Sequence, residues 1–168
     1  MKIKNLIIST VSAAMTASML VAPVFATVAQ ADRLQDEAET ECLALNIYYE
    51  ARSSNLADKA AVADVVINRS QDRRYPNTIC GVVQDGYKAG RRDCQFSWYC
   101  DGKSDIPRDT DRWMEAQSIA FSMLQFGDYR GITEGATHYH ADYVNPFWAS
   151  SLQMVGRIGS HIYYRWEN

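Results

Sequence analysis

Hydrophobic positions recur with a helical period from Asp36 to Arg52, a stretch without Gly or Pro. Cys42, Leu45 and Tyr49 fall at i, i+3 and i+7, with Leu43 and Ile47 as a second apolar row beside them. This pattern predicts a helix buried over most of its circumference, with Asp32 to Gln35 as its frayed start. After the polar break Ser53-Ser54-Asn55, Asn55 is placed to cap a second helix. Leu56, Ala60, Ala63 and Ile67, with Val62 and Val66, give that helix an apolar face as far as Ser70. Gln71 to Asn77 is polar and contains Pro76, so it is a connection, and Thr78 to Gln84 is long enough for one or two helical turns. Asp85 to Pro107 is irregular, and loops of that length in a compact domain are usually functional or disordered. A third helix spans Arg112 to Phe126, capped by Asp109 or Thr110 and stopped at Gly127, with Trp113, Ala116, Ala120, Met123 and Leu124 inward.

Beyond Gly127 the period shortens to two. Ala136 to Tyr143 alternates, Met154 to Ile158 and His161 to Trp166 pattern as strands joined through Gly159-Ser160, and Pro146 opens a short turn or helix through Leu152. No internal repeat or second domain is evident. The predicted fold class is α+β, mostly helical, with a small terminal β-sheet.

The N-terminus changes the picture of where this domain works. Lys2 and Lys4 precede a run from Leu6 to Ala29 without a charged residue, and Ala29-Gln30-Ala31 offers a small-residue cleavage site before Asp32. That is the pattern of a secretory signal peptide over residues 1–31, leaving residues 32–168 as a single domain in the periplasm or outside the cell. A retained membrane anchor fits less well, because Pro23 and scattered Ser and Thr interrupt the run. The whole chain holds 17 Lys and Arg against 20 Asp and Glu; loss of Lys2 and Lys4 leaves 15 against 20, a net charge of −5. Such an acidic domain is a poor match for nucleic acid, and Arg73-Arg74 and Arg91-Arg92 are too short to form a binding stripe. All four cysteines, Cys42, Cys80, Cys94 and Cys100, lie in the exported part, which favours two disulfides. Of the three connectivities, Cys94–Cys100 closing a short loop and Cys42–Cys80 tying the first helix to the segment after the second are preferred. A four-cysteine zinc site is the alternative, without the usual C-x-x-C spacing.

Glu50 carries the candidate chemistry. It follows Tyr49 directly and Asn46 by one helical turn, so its carboxyl emerges beside aromatic surface and an amide. Burial there disfavours the anion and equips a carboxyl to act as a general acid near neutral pH. The ordinary alternative is a helix-end Glu paired with Arg52 or Lys59. Two further stretches, Gln95 to Asp101 and Thr137 to Trp148, mix aromatic rings with amides, hydroxyls and imidazoles. That mixture suits carbohydrate, whose rings present apolar faces and a rim of hydroxyls. Simple core packing is the competing explanation for Phe96 and Phe147.

Several linked motifs point the same way. Tyr49-Glu50-Ala51-Arg52, the run Ala61 to Arg69, Tyr75-Pro76-Asn77-Thr78-Ile79, Cys94 to Gly102, Gly135 to Ala141, and Arg157-Ile158-Gly159 with His161 and Tyr164 occur in order. Together they resemble the spore-cortex-lytic-enzyme type of cell wall hydrolase, from Glu41 to Arg165. The resemblance implies a lysozyme-like domain related to lytic transglycosylases. Its substrate would be peptidoglycan glycan strands, cut between N-acetylmuramic acid and N-acetylglucosamine, with Glu50 as the catalytic acid and no cofactor. The motif departs from the family at Ser53-Ser54, where Gly-Glu is common. The cysteines set the chain apart from Bacillus-type members and nearer to exported Gram-negative versions.

A glycosidase with two carboxylates needs a nucleophile or base beside its acid. Asp58, Asp64, Asp101 and Asp142 are the candidates, whereas a lytic transglycosylase needs only Glu50. Gln95, Ser97 and Tyr139 are expected to hold sugar hydroxyls or N-acetyl groups, and Trp98 and Trp148 to stack on sugar rings. Thr137 and His140 complete the candidate substrate contacts. Two other readings compete: a catalytically silent peptidoglycan-binding module, suggested by Ser53-Ser54, and a zinc amidase using His138 and His140 with His161 or Asp142.

Overall fold

The computed structural model describes residues 22–88 and 94–167. The expected leader lies outside the described residues as far as position 21, and so does Arg91-Arg92. The chain divides into two compact units between Leu34 and Gln35, and the architecture below is that of the second.

Helix α1 spans Ala22–Ala51, beginning earlier than the periodicity predicts. No Gly or Pro follows Pro23, which a first helical turn tolerates, and Gln30 to Ala38 are all exposed. Over Gln30 to Ala38 no face is buried, so that stretch leaves no apolar period to detect. Within the core, the buried row is Leu43, Ala44, Ile47, Tyr48 and Ala51, while Cys42, Leu45 and Tyr49 form its partly buried flank. The two predicted rows therefore exchange rank.

Helix α2 (Leu56–Ser70) is the centre of the domain. Asn55 Oδ1 accepts a hydrogen bond from the Asp58 amide at 3.0 Å and starts the helix, and every residue from Asp58 to Ile67 is buried. On one side Ala60, Ala63, Val66 and Ile67 join the main core with α1, α3 (Ile79–Val83) and α4 (Thr110–Phe126). On the other, Ala61 and Val65 pack against Ala136 and Tyr163 at the sheet. The predicted apolar face covers only the first of these contacts, because a helix sandwiched between two layers needs apolar residues on both sides. Leu56, expected inward, is 45 % exposed in the first turn.

The remaining connections are made by polar groups. Cys42–Cys80 links α1 to α3, and the Glu39 carboxylate accepts from the amides of Ile79 and Cys80 at the start of α3. Cys94–Cys100 closes the segment that ends in a 3-10 turn, Ser97–Cys100, so both preferred disulfides are present. The Tyr48 hydroxyl accepts from the amides of Arg108 and Asp109, and Lys59 meets Glu115 at 2.6 Å, fixing α4 against α1 and α2. Asp109 caps α4 and Gly127 ends it at φ 73°, a left-handed conformation.

Strands β1 (His138–Ala141), β2 (Gln153–Ile158) and β3 (His161–Arg165) form an antiparallel sheet in the order β1-β3-β2. Tyr139 lies opposite Tyr163 and Ala141 opposite His161, so these four share the face toward α2. His138, His140, Ile162 and Tyr164 share the other. Phe96 is buried at 3 %, but Phe147 is 94 % exposed and corrects the expectation that it packs in the core. It opens the surface 3-10 turn Phe147–Ser151, in which no residue is buried.

Candidate active site

Glu50 is half-buried in the last turn of α1, beside the buried Ala51 and just before the chain leaves the core at Arg52 and Ser53. Its carboxyl opens into a cleft whose walls include Tyr49, Arg52, Ser54, Tyr143 and His161. The basic residues that would make it an ordinary surface charge are engaged elsewhere: Arg52 donates to the Tyr48 hydroxyl at 3.2 Å, and Lys59 pairs with Glu115. Tyr139, from the α2-facing side of β1, donates its hydroxyl to Glu50 Oε2 at 3.1 Å. Burial raises the Glu50 pKa above the ordinary carboxylate value; the Tyr139 hydrogen bond and the His161 and Arg69 charges oppose this without cancelling it. Burial and the adjacent Glu50 hold the Tyr139 hydroxyl protonated, so it stays a donor.

The position of Tyr139 is dictated by α2. Asp64 is fully buried and accepts from Arg130, from the amides of Gly131 and Thr133 at 3.1 Å, and from the Thr133 hydroxyl at 2.6 Å. Asn68 Nδ2 donates to Thr133 Oγ1 and to the Ala136 carbonyl, and Arg69 Nε donates to the Thr137 carbonyl at 2.7 Å. One helix thus anchors the segment leading into β1, residue by residue, and aims Tyr139 at Glu50.

A second constellation lies beside the first. Asp58 is fully buried and accepts from His161 Nδ1 at 2.7 Å, the Tyr163 hydroxyl at 3.1 Å, and the Ser160 amide and hydroxyl at 3.1 and 2.8 Å. Burial pushes its pKa up, but the hydrogen bonds from His161, Ser160 and Ser54 outweigh burial and hold it well below the carboxylate range. Ser54, which stands where the related motif commonly has Glu, therefore serves the Asp58 carboxylate. The His161 ring packs edge-on to Tyr139 at 5.2 Å and lines the Glu50 cleft.

The other residues singled out in the sequence are dispersed. Gln95 and Ser97 are exposed and do not line this cleft. Trp98 is 8 % exposed with its face stacked on Tyr49 at 4.7 Å, so the core occupies the surface expected to meet a sugar. Thr137 is buried and bonded to His138 Nδ1. His140 stacks on Tyr164 and bonds its hydroxyl at 3.0 Å; with His138 and Trp148 it forms an aromatic cluster on the sheet face away from α2. Burial, with Arg69 and Arg74 nearby, pushes the His138 pKa down to about 4. Register also separates the imidazoles weighed as zinc ligands, since His161 faces α2 while His138 and His140 face away. Among the described residues no group of three His, Cys, Asp or Glu is arranged to hold a metal ion. Asp142 pairs with Arg157, and Asp101 with Lys103.

In the sequence Asp58 stands out only as a possible second carboxylate and His161 only as a motif residue or metal ligand. The signal for their pairing is faint: a Gly-Ser-His turn and an Asp in the first turn of a helix, far apart in the chain.

Comparisons with known proteins agree with this architecture. The chain is 27 % identical over 126 residues to the spore cortex-lytic enzyme of Halalkalibacterium halodurans, which covers 74 % of this chain and 34 % of that protein. It thus spans about a third of the length of that curated relative. The crystal structure of the catalytic domain of the Bacillus cereus SleB protein superposes with a TM-score of 0.59 at 23 % identity, covering 77 % of this chain and 91 % of that one. The catalytic domain of the germination-specific lytic transglycosylase SleB from Bacillus anthracis gives 0.58 at 23 % identity, covering 76 % and 93 %. These structures share the fold. The cell wall hydrolase profile matches residues 53–164, from the turn after Glu50 through β3. The chain belongs to the cell wall hydrolase family.

Proposed function

We propose that this protein is an exported enzyme that cleaves peptidoglycan glycan strands between N-acetylmuramic acid and N-acetylglucosamine by lytic transglycosylation, with Glu50 as its acid and base. The observation that carries this is the half-buried Glu50 carboxyl, raised in pKa and held by Tyr139 at an open cleft. A carboxyl so placed favours its protonated form more than a solvated one does, and it donates its proton to the leaving glycosidic oxygen. The muramoyl 6-hydroxyl then attacks C1, closing an anhydro ring, and Glu50 recovers a proton. The four other carboxylates weighed for a second role each have partners: Asp58 and Asp64 are buried in hydrogen-bond networks, and Asp101 and Asp142 are ion-paired. A one-carboxylate mechanism accommodates this. The likeness to lytic enzymes of spore cortex supports the substrate class, and the leader pattern with two disulfides supports export.

Digestion of purified peptidoglycan by the domain tests the reading, with products weighed by mass spectrometry. Muropeptides one water lighter than hydrolytic products are expected, and Glu50→Gln should lower turnover by about 10³-fold or more while still sedimenting with peptidoglycan. Reducing ends that carry the water would replace transglycosylation with hydrolysis. No cleavage by the wild type would favour the binding module, and loss of activity on chelation would revive the zinc amidase.

A further inference from the structure

We infer that His161, held by Asp58, is a second proton-carrying group of the Glu50 cleft and takes the proton of the attacking hydroxyl. This rests on the glycan-cleaving reading and moves the base role in it from Glu50 to His161, leaving Glu50 as the acid. Glu50 and His161 line one cleft, from α1 and from β3. Asp58 Oδ1 lies 2.7 Å from His161 Nδ1, and the Tyr163 hydroxyl, the Ser160 amide and the Ser160 hydroxyl lock the carboxylate in place. An ionised carboxylate only accepts hydrogen bonds, so Nδ1 carries a proton, and the proposed step uses the tautomer in which Nε2 keeps its lone pair. The edge of Tyr139 fixes the ring from the side, at 5.2 Å. A base oriented by a third group is the arrangement that activates weak oxygen nucleophiles.

The proposed step balances as follows. The C1–O4 bond breaks, its electron pair goes to O4, and O4 takes the Glu50 proton. O6 bonds to C1 as its proton moves to His161 Nε2, giving an imidazolium stabilised by the Asp58 carboxylate. The imidazolium passes that proton to Glu50, and both groups return to their starting states. Asp58 is a positioning residue, since it acts through His161.

His161→Asn tests this directly, because the Asn amide nitrogen replaces Nδ1 against Asp58 while Nε2 is lost. On soluble glycan strands, kcat should fall about 100-fold or more with KM within about threefold of wild type. Asp58→Asn should likewise lower kcat more than KM. In His161→Ala, added imidazole should restore turnover severalfold, which a structural role would not allow. Turnover of His161→Asn within about threefold of wild type overturns the inference, as does a loss that imidazole fails to rescue and that follows a fall in melting temperature. Glu50→Gln in the same assay separates the two levels. If it is active, the Glu50 reading itself fails; if it is inactive beside an active His161→Asn, only the role of His161 falls.

Discussion

Glu50 and Asp58 are carboxylates of one site pushed in opposite directions. Glu50 has one hydroxyl donor and is partly cut off from water, so its folded-state pKa lies above the ordinary 4.5. The folded protein therefore gains from the protonated form. That gain is complete below about pH 4.5 and is lost as pH rises through the folded-state value. Glu50→Gln should melt with the wild type near pH 4 and above it at pH 7, a difference that calorimetry at the two pH values would read. Asp58 has the opposite sign. Its depressed pKa means that its contribution is present above the ordinary 3.8 and disappears as pH falls through the lower folded-state value. Asp58→Ala should cost about 3 kcal/mol at pH 7, the usual penalty for orphaning the partners of a buried charge, and less in strong acid; urea unfolding would measure it. Glu50 was legible in the sequence from its own neighbours. Asp58 was not, because what distinguishes it from a solvated helix-start Asp is a set of donors about a hundred positions away.

At the scale of elements, α2 and the β2–β3 turn build the site between them. Gly159, at φ 58°, sits where a Cβ would lie 2.5 Å from the Asp58 Cβ, and this close approach lets the Ser160 amide reach the Asp58 carboxylate. Gly159→Ala should therefore cost about 2 kcal/mol or more and displace His161 as well, so thermal melting and turnover should fall together. Helix boundaries and caps were readable from Asn55, Asp109 and Gly127, because caps act within one turn. Alternation on β1 placed His138 and His140 on one face. It left open which face meets α2, and that choice decides whether Tyr139 or the two imidazoles reach Glu50. Burial of α2 on two sides likewise exceeded its apolar pattern, since Asp58, Lys59, Asp64 and Arg69 enter the core only because partners from α4, the 130–137 segment and β3 meet them there.

For the molecule as a whole, one disulfide ties down the helix that carries Glu50 and the other closes the loop that carries Trp98. Cys42–Cys80 spans 38 residues and Cys94–Cys100 only 6. Chain-entropy estimates for loops of these sizes are about 4 and about 2 kcal/mol. Replacing Cys42 and Cys80 by Ser should lower the melting temperature more than replacing Cys94 and Cys100, and excess dithiothreitol should lower the wild type at least as far. In the reducing conditions of the cytosol the domain would lose this support, in keeping with the export proposed from residues 1–31.

The sequence by itself determined the order and type of the elements and Glu50 as the candidate acid, because periodicity, capping and a carboxylate set among apolar neighbours are local properties; the observed disulfide pairing was only the preferred one of three until the fold placed the cysteines. The linked motifs also carried the family. The tertiary structure decided which groups face Glu50. It brought Tyr139 to the Glu50 carboxyl and His161, backed by Asp58, to the cleft, sent His140 and Trp148 to the far face of the sheet and buried Trp98. Those outcomes depend on strand register and on which face of the sheet packs against α2, and both are settled only when distant segments satisfy one another's buried polar groups.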